Sequence, residues 1–206
     1  RLPPGSDLYR ATVGSRYVML WAGRDFEGAI RAARSDTAAT WDDANNVALP
    51  RELSLAWALE AAGRPDSARE AYAAVRARMQ EALAGRPDEP DLHLGLAFAD
   101  AGLGLKEEAV REGRRAADLM PPERDRVTGP AYLAWLANLY VRVGQKEQAI
   151  QLLGRLLDMP AGGIVSPALL RLDPVWDPIR DEPGFRALLV DRAPVPVSGA
   201  EASQAP

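Results

Sequence analysis

A rhythm of leucine, glycine and alanine recurs three times along this chain and constrains its fold more than any other feature. In each copy a small residue follows a leucine, a large apolar residue comes one turn later, a glycine ends the first helix, and an alanine lies inside the second. The copies run from Leu55 to Tyr72, from Leu94 to Ala109 and from Leu136 to Leu153. Self-similarity at a period of tens of residues is typical of stacked helical hairpins. The rhythm therefore predicts an all-α repeat array, an architecture that usually presents a binding surface.

The alanines of this rhythm have a physical role. Ala68, Ala109 and Ala149 lie one turn into the second helix of each hairpin, spaced by 41 residues (68 to 109) and 40 residues (109 to 149). A methyl group there lets the two helices approach closely, so a bulky replacement should overpack the contact. We expect Tyr72 and Leu153 to fill the gaps between adjacent hairpins, with Gly113 at the equivalent place in the middle copy.

Composition excludes several function classes. The 206 residues carry a formal charge of -4, which argues against the basic surface that a general nucleic-acid-binding protein needs. The chain has no cysteine and a single histidine, His93, so we expect no thiolate metal site and no bound cofactor. No apolar run approaches the roughly 20 residues of a membrane span, and we expect no membrane insertion by this segment.

Breaks in the helical pattern, marked by glycine and proline residues, suggest that the chain has four regions. Residues 1–48 are expected to form a degenerate first helical hairpin and a connection, and residues 49–160 three regular hairpins. Residues 161–192 are expected to form capping helices, and residues 193–206 a disordered tail without periodic apolar residues. The first residues, Arg1-Leu2-Pro3, lack a methionine, which favours a piece of a longer protein.

The predicted cap depends on a run of acidic residues placed before prolines. Asp173-Pro174, Asp177-Pro178 and Asp181-Glu182-Pro183 each suggest an N-cap carboxylate followed by a proline in the first helical turn. Three short turns should then fold back over the last hairpin. Its open apolar face would be covered by Leu169, Leu172, Trp176, Ile179, Phe185 and Leu188.

The repeated residues resemble tetratricopeptide repeats. The resemblance is carried by Leu94-Gly95, Phe98, Gly102, Ala109, Ala116 and Pro121, and again by Leu136, Tyr140, Gly144, Ala149, Leu156 and Pro160. The family period is about 34 residues, so this chain departs from it by longer helices and connections. The resemblance implies an α-solenoid of about four hairpins with a C-terminal capping segment.

A second resemblance concerns the parent protein. The segments 102–117 and 169–189 look like the C-terminal repeat region of large bacterial multidomain proteins, which often carry a kinase, a nucleotide-cyclase-like or a winged-helix domain. This resemblance implies a non-catalytic protein–protein interaction module of a larger bacterial regulatory protein. The sequence does not fix the compartment, and we favour the cytoplasm over the periplasm. The alternative is a scaffold or oligomerisation domain that self-associates and has no free peptide ligand.

Repeats of this kind bind a peptide or helix on the concave face, which the first helix of each hairpin lines. Helical phase predicts that the exposed inner positions are Trp21, Trp57, Glu60, Leu96, Asp100, Asn138 and Arg142. Trp57 and Glu60 lie three residues apart and Asn138 and Arg142 four apart, so each pair shares a face. Three interpretations remain open for Asn138 and Arg142: part of a carboxylate clamp, part of an apolar groove, or a hydrogen bond to the neighbouring hairpin. No residue pattern indicates a catalytic site.

Overall fold

The protein is mostly helical, as the sequence predicts. The computed structural model describes residues 16–36, 38–42, 47–159 and 165–190, so the predicted tail 193–206 lies outside the described residues. In chain order the helices are α1 (16–22), α2 (Phe26–Ser35), α3 (Arg51–Ala61), α4 (Pro65–Gly85), α5 (Pro90–Leu103), α6 (Lys106–Leu119), α7 (Thr128–Val143), α8 (Lys146–Leu157), α9 (Pro167–Leu172), a 3-10 helix (Pro174–Ile179) and α10 (Pro183–Leu188).

A short β-hairpin lies between α2 and α3, where the sequence suggested only a connection. Its antiparallel strands are β1 (Thr40–Asp42) and β2 (Ala48–Pro50), with Trp41 opposite Leu49. Arg51 ties this hairpin to the end of α2 by donating hydrogen bonds to the carbonyl oxygens of Ala33 at 2.6 Å and Ala38 at 2.9 Å. A strand pair this short leaves almost no pattern in a sequence, because two or three residues cannot establish an alternation.

Three left-handed glycines separate the helices of three hairpins. Gly63, Gly104 and Gly144 have φ of 72°, 83° and 86° and follow α3, α5 and α7. Glycine adopts this conformation without the steric cost that a Cβ imposes, so it allows a tight turn at the end of a helix. In the middle hairpin, Gly104 makes the turn and not Gly102, since α5 continues to Leu103.

Each helix from α2 to α7 packs against the next one along the chain, and the first helices of the hairpins also contact each other. Thus α3 contacts α5, and α5 contacts α7. The predicted alanines Ala68, Ala109 and Ala149 are buried, as are Tyr72 and Leu153. The apolar positions of the rhythm therefore form the core that joins the hairpins.

The C-terminal segment packs on the last hairpin, with the 3-10 helix against α7 and α10 against α8. Of the residues predicted to cover the hairpin, Trp176, Ile179, Phe185 and Leu188 are buried. The prediction is wrong for Leu169 and Leu172, which are exposed, and Leu170 is buried between them. A six-residue helix can bury only one narrow face, and in α9 this is the face that carries Leu170.

Only one of the three predicted carboxylate caps has the expected geometry. Asp173 accepts a hydrogen bond from the backbone N–H of Val175 at 3.0 Å and caps the 3-10 helix. Asp177 and Pro178 lie inside that helix, so they start no separate turn. Glu182 precedes α10 without a side-chain cap and instead accepts a hydrogen bond from Lys146 at 2.7 Å.

Candidate interaction surface

The first helices of three successive hairpins meet at an aromatic cluster, here called the inner cluster. It consists of Trp57 from α3, Phe98 from α5 and Trp135 from α7. The ring centroids lie 5.2 Å apart for Trp57 and Phe98, 5.6 Å for Phe98 and Trp135, and 6.0 Å for the two tryptophans. Edge-to-face and offset aromatic pairs at these distances are favourable beyond the area that they bury. Three segments distant in sequence thus share one apolar contact.

Arg142 of α7 lies over this cluster. Its guanidinium carbon is 4.7 Å from the centroid of the Trp57 ring and 5.9 Å from that of Phe98, within the range of a cation–π interaction. Its Nε donates a hydrogen bond to Asn138 Oδ1 at 3.2 Å, and its Nη1 donates one to Glu60 Oε2 at 3.4 Å. The aromatic faces and Asn138 orient the guanidinium, and Glu60 is its carboxylate partner.

Tyr72 of α4 completes the polar contacts around Glu60. Its hydroxyl donates a hydrogen bond to Glu60 Oε2 at 2.9 Å. Burial raises the pKa of this hydroxyl, so it remains a neutral donor at physiological pH. Glu60 therefore accepts from both Tyr72 and Arg142, while half of its own side chain (53%) stays exposed.

The predicted exposure of the inner positions is wrong for four of the seven residues. Trp57, Leu96, Asp100 and Asn138 are buried, because the first helices of neighbouring hairpins pack directly on one another. Asp100 also accepts a hydrogen bond from Arg76 of α4 at 2.6 Å. The structure brings Trp57, Glu60, Asn138 and Arg142 together, as their shared face predicts.

Trp21 lies apart from that group, in contact with both ends of the described chain. Its ring is 5.4 Å from Phe26 and 6.3 Å from Tyr17, and its Nε1 donates a hydrogen bond to Asp173 Oδ1 at 3.0 Å. It is half-buried. Its partners are therefore the N-terminal aromatics and the C-terminal 3-10 helix, not α3, α5 or α7.

Two residues of this region were absent from the predicted site. Trp135 is half-buried at the edge of the inner cluster, and its spacing of seven residues from Arg142 is the signal that places both on one face of α7. Tyr17 of α1 is buried and donates a hydrogen bond to the Ser54 carbonyl oxygen at 2.7 Å. Nothing in the local sequence around Tyr17 indicates that contact, because its partner is on α3.

Helix α1 lies against α3 through Tyr17. The Tyr17 hydroxyl donates a hydrogen bond to the carbonyl oxygen of Ser54, which is about one helical turn before Trp57 of the inner cluster. Burial raises the pKa of this hydroxyl, and the positive charge of Arg142 partly opposes that shift.

One polar atom of the inner cluster stands out. Within the described ranges, Trp57 Nε1 is buried without a hydrogen-bond partner. Burying a donor without a partner costs free energy, and buried indole N–H groups usually find an acceptor. The donor is held at the junction of three hairpins, next to Arg142.

Two features are absent from the part of the chain that the structure describes. It contains no group of three or more acidic, histidine or cysteine residues able to hold a metal ion. None of its helices is both long and apolar enough to cross a membrane.

Comparison of the chain with protein-family models, curated proteins and solved structures found no match.

Proposed function

We propose that this chain is a non-catalytic protein–protein interaction module, built as an α-solenoid of tetratricopeptide-like hairpins, that binds a peptide or helix along α3, α5 and α7. The observation that carries the proposal is the inner cluster with Arg142. Three successive hairpins contribute one aromatic residue each to a single face, and aromatic residues with an arginine are the side chains that dominate protein-binding surfaces. The resemblance to repeat regions of larger bacterial regulatory proteins supports the same role.

The accessible part of this face defines how a partner would bind. Glu60 is exposed, Trp135 is half-buried, and the Arg142 side chain is 17% exposed. A partner would thus contact Trp135 and the Glu60–Arg142 pair first. Trp57 and Phe98 would act from below by fixing the guanidinium of Arg142.

The proposal is tested by selecting random displayed peptides on the full chain and measuring their affinities by calorimetry. We expect Trp135→Ala and Arg142→Ala each to weaken the selected peptides at least tenfold, which corresponds to about 1.4 kcal/mol. Arg155→Ala, an exposed residue on the second helix of the same hairpin, is the matched control and should leave affinity unchanged. Peptides that bind all three variants like the wild type would place the binding surface elsewhere.

The alternative, a scaffold domain that self-associates, is favoured by a different observation. Val18 and Met19 of α1 and Leu172 of α9 expose most of their apolar side chains, and the inner positions are already engaged within the chain. Exposed apolar residues that cluster commonly mark protein contacts. Sedimentation equilibrium separates the two functions: a monomer at high concentration argues against self-association, whereas a dimer lost in Met19→Glu supports it.

A further inference from the structure

We propose that α1 and the turn after it form a strap across the inner cluster, fastened to the C-terminal 3-10 helix, and that release of this strap exposes the partner-binding face. The strap comprises residues 16–24. The inference rests on the proposed function, because it regulates access to the same surface.

The fastening consists of two polar contacts between residues more than 150 positions apart. Trp21 Nε1 donates to Asp173 Oδ1 at 3.0 Å, and Arg24 donates to both carboxylate oxygens of Asp177, at 2.6 and 3.0 Å. Arg24 lowers the pKa of Asp177, so this carboxylate is ionised throughout the physiological range. The two contacts join the first and last parts of the described chain.

The opposite side of the strap lies on the inner face. The buried Tyr17 hydroxyl binds the Ser54 carbonyl oxygen of α3, and the Tyr17 ring packs against Trp41 at 5.3 Å between centroids. Ser54 lies three residues before Trp57 on α3, so Tyr17 contacts this helix next to the inner cluster. With Tyr17 on α3 and Arg24 on the 3-10 helix, which itself packs on α7, the strap connects the two sides of the inner cluster.

The polar contacts that hold the strap to the 3-10 helix are weaker than the apolar packing between the hairpins. The side chains of Arg24 and Asp177 are 53% and 37% exposed, and exposed ion pairs are screened by salt and contribute little to stability. The hairpins, in contrast, are joined by buried apolar residues, and Tyr17 at the start of the strap packs with them. The contacts of the strap with Asp173 and Asp177 can therefore break while the hairpins stay folded.

The inner cluster contains a buried hydrogen-bond donor that a bound peptide would satisfy once the strap is released. Trp57 Nε1 lacks a hydrogen-bond partner within the described residues, although it is buried. A peptide carbonyl oxygen that enters the released face would supply the missing acceptor. The closed state leaves a donor unsatisfied that a bound peptide satisfies.

The strap is tested by distance measurement between two spin labels. The chain has no native cysteine, so Ala22→Cys and Asp181→Cys, both at exposed positions, introduce the only labelling sites. In the otherwise wild-type chain we expect one short distance. Adding Trp21→Phe and Arg24→Glu should create a second, longer population, and it should raise the affinity of selected peptides about tenfold if the open state is rare in the wild type.

Arg64→Glu is the matched control. Arg64 makes an equally short, equally exposed ion pair with Glu27, but this pair joins neighbouring elements and not the two ends of the chain. The control should keep the single short distance. If Trp21→Phe with Arg24→Glu also keeps it, the strap does not open and the proposal is wrong.

A salt titration of the labelled chain needs no further substitution, so it tests the strap even where the double variant fails to fold. About 1 M salt shortens the screening length to roughly 3 Å and should itself increase the long-distance population. An unchanged distribution would overturn the proposal. The labels report opening of the strap without any partner. An unchanged distance distribution therefore contradicts the strap but not the proposed binding function. Opening without peptide binding contradicts the binding function alone.

Discussion

At the residue scale, two kinds of glycine shape the hairpins. Gly63, Gly104 and Gly144 provide left-handed turns. Gly102 has a different role, because a Cβ built on it would lie 2.3 Å from the Tyr72 ring of α4. Tyr72 is buried and its hydroxyl is held by Glu60, so the ring has little freedom to move. Glycine at this position allows α4 and α5 to approach.

We therefore expect Gly102→Ala to lower the free energy of unfolding by about 1–2 kcal/mol, since overpacking costs more than alanine gains in helix propensity. Gly85→Ala is the control, because no atom lies within 4 Å of a Cβ built there at the end of α4. Urea denaturation of both variants measures the difference. Equal stability of the two variants would mean that the contact with Tyr72 is not tight.

The repeated pattern places the end of the first helix of the middle hairpin at Gly102, whereas this helix continues to Leu103 and Gly104 makes the turn. Gly102 and Gly104 are equally able to adopt positive φ, and local sequence cannot rank them. The difference comes from Tyr72, which is 30 residues before Gly102 and reaches it only through packing. Similarly, helical phase grouped Trp57 with Glu60 and Asn138 with Arg142 correctly, but it could not show that neighbouring helices bury Trp57 and Asn138.

At the element scale, arginines of α4 link this helix to the first helices on either side. Arg76 donates to Asp100 of α5 at 2.6 Å, and Arg78 donates to both oxygens of Glu52 of α3 at 3.0 and 2.9 Å. The environments differ, because the Asp100 side chain is only 3% exposed and that of Glu52 is 26% exposed. Burial raises the pKa of Asp100 even beside Arg76.

We expect Arg76→Ala to destabilise the protein by about 2–3 kcal/mol at neutral pH, because it leaves a buried carboxylate without its cation. Arg78→Ala should cost at most about 1 kcal/mol. The loss in Arg76→Ala is full where Asp100 is charged and shrinks as the pH falls through the raised pKa of Asp100 and its carboxyl takes up a proton. Denaturation at about pH 7 and about pH 4 tests this. A loss that does not depend on pH would contradict it.

The helical hairpins followed from the sequence, because glycine and proline residues mark where their helices end and begin. The short elements did not. In the run of Asp-Pro pairs the capping chemistry suggested three equivalent turns, but Asp177 is drawn into the 3-10 helix and pairs with Arg24 and Arg180. Long-range ion pairs of this kind compete with local capping and leave no local signal.

At the scale of the whole molecule, the C-terminal segment has two neighbours and not one. It packs on α7 and α8, as a cap of the last hairpin should, and it also binds Trp21 and Arg24 near the beginning of the described chain. The sequence could indicate the first role through its apolar residues. The second depends on how the successive hairpins curve, which is the sum of many small packing angles.

Hydrogen exchange of the Trp57 indole N–H tests most directly whether three hairpins and α1 bury one inner cluster. Its NMR signal is identified by its loss in Trp57→Phe. Because this N–H is buried without a partner, only opening of the cluster exposes it to water, and we expect it to exchange at least about tenfold more slowly than an exposed indole. Exchange at the rate of an exposed indole would mean that α3, α5 and α7 do not share a buried face.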